Sequence, residues 1–312
     1  MKEIVECIDV GTEFCPCKLA ESGECIICSQ LQGDCLCDCL NWKGVCIYHE
    51  FINNGSKAKE GRRTYNCLVV KKEVLEEDIV VIKFEVPHKL AIDLVKPGSF
   101  IFIRTSENIY YDVPISILES DINENIVSIM IEIRGIKTKQ LLSINEGEEI
   151  TIRGAYWNGV FGISNLNKQK DKNVLVLARG IGMAPMMPVI RKLSFSNNKI
   201  ILLLDKEPYK EIYVKEYLEN YNVELKEVSL LDKGKLSDEA KVIVKKLIDD
   251  NDINYIHIAG ADILTVNTID YLNEIDKNKI DLSCCNNTKM CCGEGICALC
   301  TEMLQKGQQL NL

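Results

Sequence analysis

The sequence has no apolar run long enough to cross a bilayer. Its longest runs, residues 174–178 and 200–204, are far shorter than the ~20 residues of a transmembrane helix. The net charge of −9 argues against a nucleic-acid partner, which requires a basic face. Residues 1–6 lack the apolar core of a secretory signal, so we expect a cytoplasmic protein. The chain has only three histidines and no visible nucleophile–base pair, which argues against hydrolysis.

Cysteine is abundant by contrast. Of the sixteen cysteines, nine precede residue 47, six follow residue 283, and Cys67, expected to be a plain buried residue, lies between. Without an export signal, such crowding favours metal or cluster ligands over a disulfide framework.

The C-terminal cysteines have a recognisable spacing. Cys292, Cys297 and Cys300 form C-x4-C-x2-C, the plant-type spacing of a [2Fe–2S] cluster. The sequence printed here ends at Leu312 without a further cysteine. We therefore expect a fourth ligand from a longer natural chain or from a neighbouring thiol: Cys291, Cys285 or Cys284. A disulfide or a zinc knuckle remains the alternative for this tail, residues 282–312.

Residues 1–62 form a second cysteine-rich region, a metal or cluster module that ends in a polar linker. It is too short to be stabilised by apolar burial alone, and metal ligation usually makes up that deficit. One or two [4Fe–4S] clusters or zinc are expected, and thiol crosslinking or redox sensing is the alternative. The spacing selects no ligand set among the candidates, Cys15, Cys17, Cys25, Cys28, Cys35, Cys37, Cys39 and Cys46.

Residues 63–168 read as short strands separated by turns, without long helices. This pattern predicts a small antiparallel β-barrel. The apolar strand segments are residues 65–70, 79–86, 100–104, 126–133 and 149–153.

Strands and helices alternate over residues 169–281. Residues 173–178 read as a strand that is buried on both faces, and the alternation predicts a doubly wound parallel sheet. Further strands are predicted at 200–204, 223–228 and 255–259, and helices at 186–193, 209–220, 237–250 and 262–273. The predicted fold class is α/β with a β-barrel, flanked by the N-terminal cysteine module and the C-terminal cysteine tail.

A glycine-rich turn follows the first parallel strand. Gly180 and Gly182 would let the phosphates of a dinucleotide approach backbone N–H groups at a helix N-terminus. The alternative is a tight turn kept for its geometry. Asp205 ends the next strand and is a candidate acceptor for a ribose hydroxyl, with a mild preference for NAD over NADP; a solvated loop aspartate is the alternative.

Together, the Gly-x-Gly-x-Ala-Pro turn and the cysteine tail resemble the ferredoxin–NADP reductase superfamily over residues 64–300. The likeness is to the electron-transfer subunit of dihydroorotate dehydrogenase B and to sulfide dehydrogenase and transhydrogenase subunits. It implies a flavin barrel, an NAD(P) domain and a [2Fe–2S] tail. The residues that match the family's flavin motif, its phosphate turn and its Gly-rich loop are Pro114, Ile115, Ser116, Gly135, Thr138 and Asn158.

Three positions depart from the family pattern. Val113 stands where the flavin-motif arginine is expected, which leaves Arg104 or Arg134 as substitutes for pairing with pyrophosphate. Arg179 replaces a glycine of the nucleotide turn, and Ala259 replaces the cysteine near the nicotinamide.

The resemblance implies an electron-transfer flavoprotein subunit, an oxidoreductase that passes electrons between NAD(P)H, FAD and iron–sulfur clusters. A partner redox subunit or electron carrier and an oligomeric assembly are expected with it. The alternative reading is a reductase-fold scaffold that has lost its cofactors and acts in assembly, through crosslinking or structural metal, or in redox sensing.

Overall fold

A computed structural model describes residues 7–37, 44–105, 112–277 and 279–287. The chain divides into two compact units, whose described parts belong to residues 7–63 and 64–287. No helix within the described residues is both long and apolar enough to cross a membrane.

The N-terminal unit is built mainly from loops. Its described regular elements are α1 (Lys18–Glu21), α2 (Ile47–Asn53) and one 3-10 turn (Ser29–Gln32). Few apolar side chains are buried in it, and two of them are cysteines: Cys15, Ala20, Cys28, Leu31 and Ile47.

Six antiparallel strands close into a barrel in the order β1-β2-β5-β4-β3-β6. Alternate residues of these strands point into a core of aliphatic side chains, because successive side chains of a strand face opposite sides. The strands are β1 (Thr64–Glu76), β2 (Ile79–Glu85), β3 (Phe100–Arg104), β4 (Val113–Asp121), β5 (Ile126–Glu132) and β6 (Glu149–Tyr156). The barrel also carries the helices α3 (His88–Leu94) and α4 (Ile136–Lys139).

The second sheet has the order β10-β9-β8-β13-β14-β7, with the first five strands parallel and β7 antiparallel. Its strands are β7 (Val160–Phe161), β8 (Asn173–Arg179), β9 (Lys199–Asp205), β10 (Val223–Glu227), β13 (Tyr255–Ala259) and β14 (Asp281–Cys285). A small hairpin is formed by β11 (Leu231–Asp232) and β12 (Lys235–Leu236).

Helices cover both faces of this sheet. They are α5 (Ile163–Asn167), α6 (Met186–Phe195), α7 (Lys215–Leu218), α8 (Asp238–Asn251) and α9 (Asp262–Glu274). The start of α8 is set by Ser237, whose hydroxyl accepts a hydrogen bond from the N–H of Ala240 at 3.0 Å.

One apolar cluster joins the sheet to the barrel. Val174 and Val176 of β8 share it with Ile79 and Met130 of the barrel, whereas Leu175 and Leu177 face the opposite core with α8 and α9. The two domains of this unit are therefore packed together through a common core.

The predicted barrel and parallel sheet are confirmed, but the predicted helix at residues 209–220 is wrong. Only α7 is helical there. Tyr209, Ile212 and Val214 are buried in the core shared with the barrel, so tertiary packing overrides the helical spacing of the apolar residues. The structure also contains β14, which places residues 281–285 in the sheet, whereas the cysteine tail was predicted to start at residue 282.

Candidate functional site

The glycine-rich turn lies at the carboxyl edge of the parallel sheet. Gly180 has φ +55°, and a Cβ there would lie 3.1 Å from the carbonyl oxygen of Glu207. A Cβ on Gly182 would lie 2.6 Å from the amide nitrogen of Gly260, which no side chain tolerates. The two glycines therefore allow the loops that follow β8, β9 and β13 to pack together.

Asp205 ends β9 and is almost fully buried. Its Oδ2 accepts hydrogen bonds from Arg179 Nε at 3.0 Å and from the N–H of Leu230 at 2.9 Å, while its Oδ1 accepts one from the N–H of Glu207 at 3.0 Å. Both carboxylate oxygens are thus engaged by the chain itself. Asp205 ties three segments together at this edge instead of presenting a free oxygen.

The proline–serine motif lies on β4, which pairs with β3. Pro114 is opposite Phe102 and Ser116 is opposite Phe100, while Ile115 points into the barrel core. Because side chains alternate along a strand, Pro114 and Ser116 face out of the barrel. Val113, at the position of the family's arginine, is buried in the core.

The outer face of β3 and β6 carries three packed aromatic rings. The ring of Tyr156 lies 5.1 Å from that of Phe100, stacked, and 5.1 Å from that of Phe102, edge to face. The guanidinium of Arg153 lies 4.8 Å from the centroid of Phe102, a cation–π distance.

Arg153 and Arg104 share one carboxylate. A guanidinium nitrogen of Arg104 lies 2.7 Å from Asp112 Oδ1, and one of Arg153 lies 3.1 Å from Asp112 Oδ2. Two cations and one anion leave a net charge of +1 beside Pro114. Arg104 was expected here from the sequence, whereas Arg153 was not, because only the pairing of β6 with β3 brings it to this place.

The Gly-x-x-Thr turn lies after β5 and is mostly exposed. Thr138 Oγ1 accepts hydrogen bonds from the N–H groups of Arg134 at 3.0 Å and Gly135 at 3.2 Å. The other expected substitute cation, Arg134, pairs with Glu132 at 2.5 Å, and this hydrogen bond raises the pKa of Arg134.

The loop after β6 is fastened to the last described residues. Asn158 is exposed, and its carbonyl accepts a hydrogen bond from Asn286 Nδ2 at 2.7 Å, while the N–H of Asn286 donates to Gly159 at 2.8 Å. Asn287 Nδ2 donates to the carbonyl of Gly260 at 2.6 Å. The segment after β14 thus connects the barrel loop to the loop after β13, a link without a sequence signature.

Two of the candidate tail thiols are strand residues. Cys284 and Cys285 are buried in β14 on opposite faces of the sheet, and burial raises their pKa values to about 11 and about 12. Cys67 is buried in the barrel, and burial raises its pKa to about 12. The candidate ligands outside the described residues are Cys39, Cys291, Cys292, Cys297 and Cys300.

The N-terminal thiols differ in exposure. Burial raises the pKa of Cys15, and together with charge repulsion from the nearby Cys25 and Cys17 it brings that pKa to about 12. Cys28 is buried, Cys46 is half-buried, and Cys35 and Cys37 are exposed. Among the described residues, no three Cys, His, Asp or Glu side chains are gathered around one point as a single metal ion requires.

No protein-family model matches the chain. It is 27% identical over 188 residues to the dihydroorotate dehydrogenase B (NAD(+)) electron transfer subunit of Fusobacterium nucleatum, covering 57% of this chain and 70% of the relative. The subunit of that name from Streptococcus pneumoniae R6 is 24% identical over 251 residues, 78% of this chain and 92% of the relative. An uncharacterised Clostridium beijerinckii protein encoded in the adh 3′ region is 30% identical over 129 residues, 39% and 41% of the two chains.

Solved structures show the same fold. A structure of NADH-dependent reduced ferredoxin–NADP oxidoreductase, studied for flavin-based electron bifurcation, matches with a TM-score of 0.58 and 22% identity over 76% of this chain and 81% of the other. Ferredoxin–NADP+ reductase from Plasmodium falciparum with 2′P-AMP matches with a TM-score of 0.51 and 16% identity over 70% and 94%. These structures support the fold, and the sequence similarity to electron transfer subunits supports an electron-transfer role.

Proposed function

We propose that this chain, which has the fold of ferredoxin–NADP reductases and resembles the electron transfer subunits of dihydroorotate dehydrogenase B, is an electron-transfer flavoprotein subunit. Its electrons would pass between NAD(P)H, FAD and iron–sulfur clusters to or from a partner redox subunit. One observation carries the proposal. The barrel face with Pro114 and Ser116 and the glycine turn of the parallel sheet belong to the same compact unit.

The outer barrel face suits FAD. Pro114 and Ser116 would lie along the flavin, and the net charge of +1 on Arg104, Arg153 and Asp112 would favour its pyrophosphate. These two arginines take over the role of the absent motif arginine. FAD, when bound, accepts two electrons together and releases them one at a time, which links nicotinamide to iron–sulfur chemistry.

The carboxyl edge of the parallel sheet suits a nicotinamide dinucleotide. Gly180 and Gly182 start the turn that leads into α6, where N–H groups would meet phosphate. Because Asp205 is already bound by Arg179 and two backbone N–H groups, ribose recognition would rely on Arg179 instead.

The tail thiols Cys292, Cys297 and Cys300, with Cys291 as a further candidate, would hold the [2Fe–2S] cluster. Support comes from the segment just before them. Asn286 binds the loop after β6 and Asn287 binds the loop after β13, so these two residues lie beside both domains of their unit. The N-terminal module would carry a further cluster or zinc and would extend the relay or dock the partner.

Purification without oxygen tests this proposal. The visible spectrum should show flavin bands together with broad iron–sulfur absorbance, and chemical analysis should find flavin, iron and sulfide in the same protein. A colourless protein without flavin and iron would overturn it.

A second function, a scaffold without cofactors, is favoured by one observation. The loop at Glu207–Tyr209 lies against Gly180, where a nucleotide would be expected, and Tyr209 is buried. Cysteines would then crosslink neighbouring subunits or hold structural metal. Non-reducing gels test this reading, since a thiol-sensitive ladder supports the scaffold and a single monomer band argues against it.

A further inference from the structure

Four cysteines of the N-terminal unit line one pocket. Cys7, Cys15, Cys17 and Cys25 come from three separate stretches of the loop-rich chain and meet there. Apart from these thiols and Asp9, the lining is apolar, with Val10, Leu19 and Ile47 among its side chains. Cys28, Cys35, Cys37 and Cys46 are not part of this lining.

Backbone N–H groups interact with each of the four sulfurs. The N–H of Cys28 donates to Cys25 Sγ at 3.4 Å. The backbone of Asp9 hydrogen-bonds Cys7, that of Gly11 hydrogen-bonds Cys15, and those of Leu19 and Ala20 hydrogen-bond Cys17. N–H···S hydrogen bonds of this kind stabilise the charge on thiolate ligands and tune iron–sulfur sites.

The acidic group at the pocket is already paired. Arg62 lies 2.5 Å from Asp9 Oδ1, its side chain is 4% exposed, and its guanidinium lies 4.5 Å above the ring of Phe14. This buried pair leaves the thiols as the available ligands of the pocket. It also fixes the end of the unit, residue 62, against the segment that follows Cys7.

The described residues of the N-terminal unit bury little apolar surface. Its buried apolar cluster is small and its helices are short. A unit of this size usually needs metal or crosslinks to fold, and a bound cluster would connect all three stretches of loop.

We propose that Cys7, Cys15, Cys17 and Cys25 hold a [4Fe–4S] cluster in this pocket. The four thiols line one pocket and would supply the four thiolates that a cubane cluster takes. In a cubane cluster each thiolate binds a different iron, which fits ligands on the wall of a pocket. The sequence spacing missed Cys7, which stands alone and outside any short Cys motif. The site does not depend on flavin binding.

The test uses the full chain with Cys292→Ala, Cys297→Ala and Cys300→Ala, so that iron at the tail does not contribute. This protein is reconstituted without oxygen from ferrous iron and sulfide, and iron content and Mössbauer spectra are recorded. We expect the cubane signature, and Cys7→Ala should remove about four iron atoms per chain. Cys67→Ala, a buried thiol of the barrel, is the matched control and should lose none.

Cys7→Ser distinguishes the loss of a ligand from misfolding. The serine oxygen can still ligate iron, so this variant should retain the cluster with an altered spectrum. Circular dichroism of each variant monitors the fold of the rest of the chain. Equal iron content in Cys7→Ala and Cys67→Ala would overturn the proposal, as would tightly bound zinc in place of iron or a Cys15–Cys25 disulfide in the anaerobic protein.

Discussion

Arg179 Nε lies 3.0 Å from Asp205 Oδ2, at the carboxyl ends of the neighbouring strands β8 and β9. The carboxylate is buried, whereas the side chain of Arg179 is 30% exposed. The pair therefore leaves the guanidinium of Arg179 partly exposed at the edge of the sheet and neutralises the charge of Asp205. An unpaired aspartate at this position would favour NAD, because it would repel the 2′-phosphate of NADP.

Replacing Arg179 should change nucleotide preference. In Arg179→Ala the charge of Asp205 would no longer be neutralised, and like-charge repulsion should weaken NADPH binding about tenfold relative to NADH. Dissociation constants of both nucleotides measure the ratio. Lys206→Ala, which removes a nearby cation paired with Glu227, should leave the ratio unchanged. An unchanged ratio in Arg179→Ala would show that the pair does not face the ribose.

Gly182→Ala should destabilise the protein by about 2 kcal/mol or more, because its Cβ would lie 2.6 Å from the amide nitrogen of Gly260 and the backbone would have to move. Gly135→Ala is the matched control, since a Cβ there meets nothing within 4 Å. Urea unfolding of both variants measures the difference. Equal stability of the two would contradict the close packing of the loops after β8 and β13.

Ser283→Ala should also destabilise the second unit. The Ser283 hydroxyl lies 2.7 Å from His257 Nδ1 and 2.5 Å from the hydroxyl of Tyr255, and all three side chains are buried. Its removal leaves two buried polar groups without this partner, at a cost of about 1–3 kcal/mol. Urea unfolding measures the loss, and the exposed Ser229→Ala should cost little. A neutral Ser283→Ala would indicate that water replaces the hydroxyl.

His257 should make stability depend on pH. Burial lowers its pKa to about 3, so the folded protein holds the neutral imidazole, and Nε2 has no hydrogen-bond partner among the described residues. The unfolded chain takes up a proton near pH 6.5, so stability present above that pH is lost as the pH falls toward 3.

The slope for this one group is about 1.4 kcal/mol per pH unit between these values. His257→Gln should remove that part of the slope of the unfolding free energy between pH 6 and 4, whereas the exposed His88→Gln should keep it. If both variants retain the wild-type slope, His257 is not held neutral.

Arg153→Gln should weaken FAD binding about tenfold, because it removes one of the two cations that offset Asp112 and leaves no net positive charge beside Pro114. Flavin fluorescence titration of the deflavinated protein measures the dissociation constant. Lys71→Gln, an exposed change elsewhere on the barrel, should have no effect. Unchanged FAD affinity in Arg153→Gln would show that the pyrophosphate does not bind at this face.

The parts of the fold that could be predicted depend on local pattern. The continuous apolar run at residues 173–178 predicts a strand covered on both faces, and β8 is one. The helix predicted at residues 209–220 failed because Tyr209 and Ile212 are buried by contacts with distant parts of the chain.

The site was harder to predict than the fold for a similar reason. Arg153 lies at the site only because β6 pairs with β3. Asn286 lies there only because it forms hydrogen bonds with a loop that is distant in sequence. Asp205 was noticed at the end of its strand, but its burial and its partners depend on the packing of three loops.

Anaerobic titration with NADH and NADPH, followed by visible and electron paramagnetic resonance spectroscopy, tests whether electrons pass from nicotinamide through flavin to the tail cluster. If the chain is an electron-transfer flavoprotein subunit, flavin absorbance should bleach and a reduced [2Fe–2S] signal should then appear, and Cys297→Ala should abolish that signal. A flavin that stays oxidised under excess of either nucleotide, or a protein that binds no flavin, would contradict it.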